Sequence, residues 1–461
     1  MSWANIKKNF LTPFGLIFLM IIFMGFTYYP ILNLSNTNGV HFKITIPLIL
    51  LSIISITYLA QITAQHKRPK INDISITFAV FSAYQLLSLL WTSNSTRGFV
   101  IACFTITIAL TWFFIHLNKR EINKKITKIY KAYFYTVIFL CIWALWQLIG
   151  DALGVSKSLT LVPDTYDYSV FGFTRPTSFS QEPQFFANFL LAPSVISLFF
   201  LSRKNLSKKA KIVAIFIVTT LFLTLSRGAI YGLAISLISL SIIDIYKNKS
   251  ILTAVSYFKN TFICLVVCLS MIFVCASINT QDSVNGWSSV RGYINHLTIG
   301  LIDLPKEPEV HAIDNQLNIS QSEPKVVIES SNSRISMSKF ALEIWSDNPK
   351  NIIFGTGVGS FSKELTKRHP EQSPDSITNN YYAEILCELG IIGILIFIFT
   401  IILIYKKLLN SKKYLELCVI QGFLFQWLFF SGNVNTISIW VIIPIFIVLS
   451  DKLSDCKYLT S

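Results

Sequence analysis

Four arginines stand at the edges of apolar segments or of the loops between them: Arg175, Arg227, Arg291 and Arg334. Arg227 is the most isolated, because it is the one charged residue between Ile212 and Ile243. A guanidinium is planar and permanently charged, and it can bind two phosphate oxygens at once. These arginines therefore indicate a site for a phosphate-bearing anion. For any one of them taken alone, snorkelling to the interface or pairing with a nearby carboxylate is the competing interpretation.

Glu182 is the best candidate for acid or base chemistry. It precedes Pro183 at the start of an apolar segment, where partial burial would raise the pKa of its carboxyl group. A carboxylate at a helix N-terminus is equally consistent with an ordinary capping role.

Other sequence features are weaker signals. The segment GTGVGS at 355–360 lacks the GK[ST] ending of a phosphate loop, so we expect a turn that leaves the preceding helix. The six histidines do not have the spacing of metal ligands, and no protein metal site is expected.

The composition indicates which elements must position these residues. Of 461 residues 52% are hydrophobic and 14% charged, with a mean hydropathy of +0.56. Runs of about 20 apolar residues, each long enough to cross a bilayer as a helix, recur along the chain. We predict an all-α, polytopic bundle of about twelve transmembrane helices. The predicted spans are 12–33, 42–62, 72–92, 97–117, 129–150, 184–202, 210–226, 228–246, 260–278, 381–405, 414–431 and 436–450.

The formal net charge of +15 reports topology rather than nucleic-acid binding. Clusters such as HKRPK, NKREINKK and RKNLSKKAK alternate with the spans as the positive-inside rule requires if both termini are cytoplasmic. Because the segments on both sides of 212–243 are basic and therefore expected in the cytoplasm, this stretch must cross the membrane twice. Arg227 is then expected at the tip of a helical hairpin, with Gly228 allowing the bend.

Five regions follow from this topology: 1–150, an N-terminal part with five transmembrane helices; 151–183, a first external loop; 184–278, central helices including the 212–243 hairpin; 279–380, a large external loop; and 381–461, C-terminal helices. Within the large loop, 303–330 is expected to be an irregular insertion. An amphipathic helix is expected after a Ser333 cap, with Met337, Phe340, Ala341 and Ile344 on one face and an end at Pro349.

Three stretches resemble the O-antigen polymerase and O-antigen ligase superfamily of polytopic membrane glycosyltransferases. They are SRGA at 226–229, NSRISMSKFALEIWSDNPKNIIFGTGVGSF at 332–361 and NNYYAEILCELGIIGILIF at 379–397. GFTRPTSFSQEPQFFANFL is similar to the external segment that precedes a mid-chain helix in that family. The resemblance covers roughly 170–405 and implies a GT-C-like bundle with a large external loop that contains short helices.

The resemblance also implies a reaction and a location. A growing glycan would move from undecaprenyl diphosphate to a second lipid-linked repeat unit, without a cofactor or metal, at the periplasmic face of a bacterial inner membrane. Arg227 and Arg334 match arginines associated with the donor diphosphate, and Arg175 and Arg291 would assist them. Glu182 would activate or orient the acceptor hydroxyl, with Asn379, Asn380 and Glu384 lining the site. A chain-length regulator is a further potential partner, whereas nucleic acid is not.

Asn379 departs from the family pattern, because ligases carry a histidine at this place. An asparagine amide can orient a hydroxyl but cannot take its proton, which favours a polymerase over a ligase that transfers glycan to lipid A–core. His369 is a weaker candidate for the missing base. A transporter of lipid-linked oligosaccharide is the alternative from another class, but the predicted spans offer few charged residues to line a path.

Overall fold

The computed structural model describes residues 12–35, 41–65, 72–163, 166, 169–203, 206–279, 285–302, 304–305, 323–431 and 436–448. Helices dominate these residues, and two short antiparallel hairpins accompany them. One hairpin pairs β1 (Ile31–Ser35) with β2 (His41–Thr45), and the other pairs β3 (Ser169–Val170) with β4 (Phe173–Thr174).

The helices up to the second hairpin are, in chain order, α1 (Pro13–Phe23), α2 (Ile46–Gln65), α3 (Asp73–Ser88), α4 (Ser95–Leu117), α5 (Lys119–Lys124), α6 (Ile126–Ala152) and α7 (Lys157–Thr160). Those that follow are α8 (Pro183–Leu201), α9 (Lys208–Leu223), α10 (Arg227–Asn248), α11 (Ile251–Ile278), α12 (Gly286–Leu297), α13 (Glu323–Ser346), α14 (Pro349–Phe354), α15 (Phe361–Arg368), α16 (Tyr381–Asn410), α17 (Tyr414–Gln426) and α18 (Ile437–Val448).

Seven helices of the described residues are long and apolar enough to cross a membrane: α2, α4, α6, α8, α10, α11 and α16. Three shorter apolar helices also lie at predicted spans, namely α1, α18 and α17 with the 3-10 turn after it. The remaining two predicted spans coincide with α3 and α9, of 16 residues each. The chain is therefore a polytopic helical bundle, and seven spans meet the criteria of length and hydropathy.

The first predicted span, 12–33, is wrong in its second half. Helix α1 ends at Phe23, and the chain then turns so that the amides of Tyr28 and Tyr29 both donate to the carbonyl oxygen of Phe179. Pro30 has no amide hydrogen to continue a helix, and a strand begins at the next residue.

The centre of the bundle is formed by α8, whose side chains are almost all buried. Its neighbours α10 and α17 approach each other closely at two glycines. A Cβ atom on Gly232 would lie 2.8 Å from the carbonyl oxygen of Gly422, and one on Gly422 would lie 2.9 Å from that of Gly232. Small residues allow such close helix packing in membranes, where van der Waals contact rather than water exclusion holds helices together.

The hairpin predicted within 212–243 is confirmed, but its turn differs from the prediction. Helix α9 ends at Leu223 and α10 begins at Arg227. Leu225, with φ of 54°, adopts the left-handed conformation that reverses the chain. Gly228 does not form the bend: it lies within α10 and packs against the Cβ atom of Phe429, 3.1 Å from where its own Cβ would be.

Helix α13 is longer than predicted. It begins at Glu323, so Ser333 is not its cap and 323–330 is helical rather than irregular. The predicted apolar face is confirmed, since Met337, Ala341 and Ile344 are buried. Together with Phe361 and Leu365 of α15 and Ala383 and Cys387 of α16, they form a small second core, and Phe340 packs against it.

The loop 355–360 follows the short helix α14 rather than leaving α13 directly. Its three glycines all have positive φ angles, and it packs on Glu388 of α16. The Glu388 carboxylate accepts from the amides of Gly359 and Phe361 at 2.8 and 3.2 Å. Gly390, with φ of 64°, interrupts α16 where a Cβ atom would lie 2.4 Å from the carbonyl oxygen of Ile353. The segment 353–361 is thus fixed to the start of α16.

Candidate functional site

Arg175 is held by the loop that follows β4. Asp151, at the end of α6, accepts from the amide of Thr174 at 2.9 Å, and the side-chain oxygen of Gln147 accepts from the amides of Thr177 and Ser178 at 3.0 and 2.7 Å. These buried contacts fix the chain on both sides of the arginine. Its Nε atom donates to the carbonyl oxygen of Thr224 at 3.0 Å, which brings Arg175 to the turn between α9 and α10.

Arg227 is the first residue of α10, immediately after that turn. It is partly buried, and its charge acts on Tyr231, one turn later in the helix. The ring of Tyr231 packs edge-on against Phe429 at 5.8 Å. The connection between α9 and α10 and the first helical turn of α10 thus place Arg227 beside the 3-10 helix Trp427–Phe429.

Arg334 approaches the same place from α13. Its Nη1 atom donates to the carbonyl oxygen of Phe429 at 2.9 Å, and its Nη2 atom donates to the side-chain oxygen of Gln184 at 3.3 Å. Burial, together with the charges of Arg227 and Arg175, lowers the pKa of Arg334 to about 10. Three guanidinium groups from distant parts of the chain therefore act on one another.

Glu182 is a carboxylate whose charge interacts with those of Arg334 and Arg175. Burial raises its pKa, although a hydrogen bond from Tyr166 and the charges of Arg334 and Arg175 oppose the shift. It occupies the N-cap position of α8, but its side chain makes no capping hydrogen bond to the helix amides. Its charge interacts instead with those of Arg334 and Arg175.

His296 also lies in this cluster. Burial and the charges of Arg227 and Arg175 lower the pKa of its imidazole to about 3, with Arg334 contributing in the same direction. The backbone of Leu225 opposes the shift through a hydrogen bond. From the sequence, the histidines were considered as metal ligands and His369 as a weaker candidate base, and no spacing signal connected His296 to residues about 70 positions earlier.

Four residues that the sequence nominated make their described contacts outside this group: Arg291, Asn379, Asn380 and Glu384. Arg291 is on α12, and its charge is not among those that act on Arg334 or His296 in the described part of the chain. Asn380 caps α16, its Oδ1 atom accepting from the amides of Tyr382 and Ala383 at 3.1 Å each. Asn379 precedes it with a φ of 53° and donates to the carbonyl oxygen of Ile377 at 3.4 Å.

Glu384 is 9% exposed and is bound by neighbouring hydroxyl groups rather than directed at the arginines. Thr378 Oγ1 donates to it at 3.2 Å and lies 2.9 Å from the hydroxyl oxygen of Ser431. Ser431 stands two residues after Phe429, whose carbonyl oxygen binds Arg334. The region around 378–384 therefore adjoins Arg334 through the segment 429–431.

The arrangement concentrates positive charge. Arg227 and Arg175 lower the pKa of Arg334, and the carboxylate of Glu182 opposes this effect. Guanidinium groups bind phosphate oxygens well, and a ligand that carries phosphate groups would interact favourably with several of them at once. The site defined by Arg175, Arg227, Arg334, Glu182 and His296, called the arginine cluster below, is therefore suited to a polyanion.

Comparison with known proteins agrees with this chemistry. Residues 212–398 match a family model described as O-antigen ligase, which confirms the resemblance drawn from the motifs. The match runs from Ile212, within α9, to the middle of α16, and it includes Arg227, His296 and Arg334. With the seven apolar helices, it supports a multi-pass membrane enzyme of the O-antigen polymerase or ligase type. No curated protein matches the chain.

Proposed function

We propose that the protein is a membrane glycosyltransferase that polymerises undecaprenyl-diphosphate-linked oligosaccharide repeat units into O-antigen or a related surface polysaccharide. The observation that carries the proposal is the convergence of Arg175, Arg227 and Arg334, whose charges all act on His296. The donor of such a reaction leaves as a lipid diphosphate, an anion that guanidinium groups bind well.

The arginines would act on the leaving group. As the bond between the anomeric carbon and the diphosphate oxygen breaks, negative charge grows on that oxygen, and fixed cations in a site shielded from water stabilise it. Because the donor linkage supplies the energy, the reaction needs neither a nucleotide sugar nor a metal ion. Glu182, half-buried and accepting from Tyr166, would bind and orient the acceptor hydroxyl. Arg291, Asn379, Asn380 and Glu384 would contribute to the surrounding substrate surface.

Asn379 favours a polymerase over a ligase. It stands where ligases of the family carry a histidine, and its amide cannot accept a proton from an acceptor hydroxyl. The alternative is a ligase that transfers glycan to lipid A–core, and the matching family model is described as O-antigen ligase. In a deletion strain, retention of single-repeat units on the surface would support the polymerase. Loss of all surface-linked polymer, with lipid-linked polymer accumulating, would support the ligase.

The topology that accompanies this function has twelve spans in a GT-C-like bundle of a bacterial inner membrane, with both termini in the cytoplasm. The loops 151–183 and 279–380 would be periplasmic, between transmembrane parts at 1–150, 184–278 and 381–461. The charge clusters that follow the positive-inside rule support this arrangement. The topology is tested by labelling single introduced cysteines with a membrane-impermeant thiol reagent. A cysteine at exposed Lys350 should react from outside the membrane, and one at exposed Lys249 should react from the cytoplasm.

The function is tested with purified protein and a purified undecaprenyl-diphosphate repeat unit. A ladder of lengthened glycans is expected from the wild-type protein. Arg227→Ala should abolish it, and Arg227→Lys should weaken it because an ammonium group cannot bind two oxygens in a fixed plane. Unchanged ladders from both variants would exclude the proposed role of Arg227. Movement of lipid between leaflets without longer glycan would instead support a transporter.

A further inference from the structure

A cavity of about 660 Å³ lies where α8 and α10 end and where α9 and α11 begin. Its volume is in the range of roughly 300–1,000 Å³ that is usual for cavities that bind small organic molecules. Asp244, in the wall of the cavity, and Arg227 are both on α10, about 26 Å apart along its axis. The cavity and the arginine cluster are therefore near opposite ends of a helix that is long enough to cross a membrane.

Asp244 organises the polar wall of this cavity. It is buried, and its Oδ1 atom accepts from Asn248 Nδ2 at 2.5 Å and from Arg203 Nη2 at 3.4 Å. Its Oδ2 atom accepts from the hydroxyl of Tyr257 at 2.6 Å. The guanidinium of Arg203 also packs over the ring of Phe199, 4.0 Å from its centre. Both carboxylate oxygens are thus engaged, and Arg203 is held in place at the edge of the cavity.

The cavity carries more positive than negative charge. Asp244 is the one carboxylate among its described lining residues, whereas Arg203 and Lys211 are both cations. The ion pair with Asp244 uses only part of the five N–H donors of Arg203, whose side chain is 44% exposed. Lys211 forms no ion pair with any residue that the structure describes. An anion in the cavity would meet the ammonium group of Lys211 and the remaining donors of Arg203.

Exposed apolar side chains lie next to these cations. Leu252 lines the cavity and is 86% exposed, and Ile251 beside it in the chain is also exposed. Ile212, next to Lys211 on α9, is exposed in the same way. Because α11 is long and apolar enough to span a membrane, side chains on its surface are suited to contact with acyl chains. A molecule bound here would have an anionic group in the cavity and hydrocarbon alongside it.

We propose that this cavity binds the phosphate group of an anionic phospholipid. Arg203 and Lys211 would contact the phosphate oxygens, and Leu252 would contact an acyl chain. Basic pockets between membrane helices bind lipid headgroups in this way. The lipid would be a structural ligand that takes no part in the proposed reaction at the arginine cluster.

The bound lipid would hold the ends of four helices together. Asn260 of α11 already donates to the hydroxyl of Ser202, which follows α8, at 3.0 Å, and Tyr257 joins α11 to α10 through Asp244. The side chain of Lys211 makes no hydrogen bond or ion pair with the described residues of these helices. A phosphate group between Lys211 and Arg203 would supply a polar connection to the start of α9.

The experiment uses the delipidated full-length protein in phosphatidylcholine nanodiscs that contain increasing amounts of phosphatidylglycerol. The midpoint of thermal unfolding of the wild type should rise with phosphatidylglycerol and then level off, because a ligand that binds only the folded protein stabilises it. In Lys211→Gln, about fivefold more phosphatidylglycerol should be needed for half of this rise, because one cation near the headgroup is lost. This variant should fold, since it removes no side-chain contact with a described residue.

Lys209→Gln is the matched control, since it removes the same charge from the same turn of α9 at an exposed position outside the cavity. It should need as much phosphatidylglycerol as the wild type. Equal effects of the two substitutions would show a diffuse attraction of this basic segment to the membrane and would overturn the site. An unchanged response of Lys211→Gln would overturn it as well.

Inorganic phosphate distinguishes a lipid headgroup from a free ion with the same oxygens. Added to nanodiscs of phosphatidylcholine alone, it should leave the midpoint of unfolding unchanged, because it cannot use the apolar surface at Leu252. A rise equal to that given by phosphatidylglycerol would replace the lipid by free phosphate as the ligand. None of these measurements depends on glycan synthesis, so failure of the lipid site and failure of the proposed function are distinguishable.

Discussion

Arg334 donates from Nη1 to the carbonyl oxygen of Phe429 across 2.9 Å, and Gln184 donates to the same oxygen at 3.0 Å. This shared acceptor joins three parts of the chain that are about 95 to 245 residues apart. The arginine is therefore oriented by protein atoms before any ligand arrives. Such preorganisation reduces the cost of ordering a charged group when the anion binds.

Replacing Arg334 should impair the enzyme through this orientation as well as through charge. Arg334→Lys keeps the positive charge but cannot contact Phe429 and Gln184 together, so polymer synthesis should fall about tenfold, equivalent to ~1.4 kcal/mol. Arg334→Gln should lower it by 10²-fold or more. Exposed Lys339 on the same helix is the matched control, and Lys339→Gln should leave glycan length and amount unchanged. Equal activity of the Lys and wild-type proteins would show that the bidentate geometry is dispensable.

Glu388 should be necessary for stability rather than for chemistry. It accepts from the amides of Gly359 and Phe361, and a neutral amide in Glu388→Gln would leave one of these buried donors without an acceptor. The loss of such a bond costs about 1–3 kcal/mol. The midpoint of thermal unfolding in detergent should fall, whereas Glu371→Gln, at an exposed position, should not change it. An unaltered midpoint for Glu388→Gln would mean that the loop is held by other contacts.

The contact between α10 and α17 should not tolerate an added methyl group. Gly232→Ala would place a carbon 2.8 Å from the carbonyl oxygen of Gly422, forcing the helices apart. Overpacking of this kind costs about 1–3 kcal/mol. Ala234, exposed on the same helix, provides the control as Ala234→Val. Thermal unfolding that is lowered by the first substitution and not by the second is the expected result, and equal effects would contradict the packing argument.

His296 should make the protein sensitive to acid. The pKa of His296 is about 3 in the folded protein, below its ordinary value near 6.5, so between these values the unfolded chain binds more protons than the folded one. The free energy of unfolding should therefore decrease as the pH falls from about 7 to 5. The contribution of His296 to this decrease is on the order of 1 kcal/mol, because its partial exposure reduces the effect. His296→Gln should lose less stability than wild type over this range. The same loss in both proteins would show that burial and the arginines do not keep the imidazole neutral.

The sequence predicted the helical framework well because hydropathy and charge are local properties. Each predicted span contains a helix, and the alternation of basic segments required the hairpin that the structure has at Arg227. It could not predict the turn conformation, since Leu225 has no intrinsic preference for positive φ and is held there by its neighbours. The end of α1 at Phe23 was also missed, because it depends on a distant carbonyl, that of Phe179.

The site was predictable in its residue types but not in its assembly. Arg175, Arg227, Arg334 and Glu182 could be nominated because charges are rare near apolar segments. Their convergence depends on contacts such as that from Arg175 to Thr224. These residues are 49 positions apart, and no periodic pattern in the sequence indicates the contact. His296 and Gln184 carried no signal of their own. Glu384, which the motif nominated, is instead occupied by Thr378 in the packing beside the cluster.

The interruption of α16 at Gly390 separates the part of the helix that can lie within the bilayer from the part that precedes it. An unbroken helix of 30 residues would be about 45 Å long, half as long again as the hydrocarbon layer. The 20 residues from Ile391 to Asn410 measure about 30 Å and suffice to cross it alone. Glu384 and Glu388 then lie in the headgroup and aqueous layer, and neither carboxylate has to be carried into the oily interior of the bilayer.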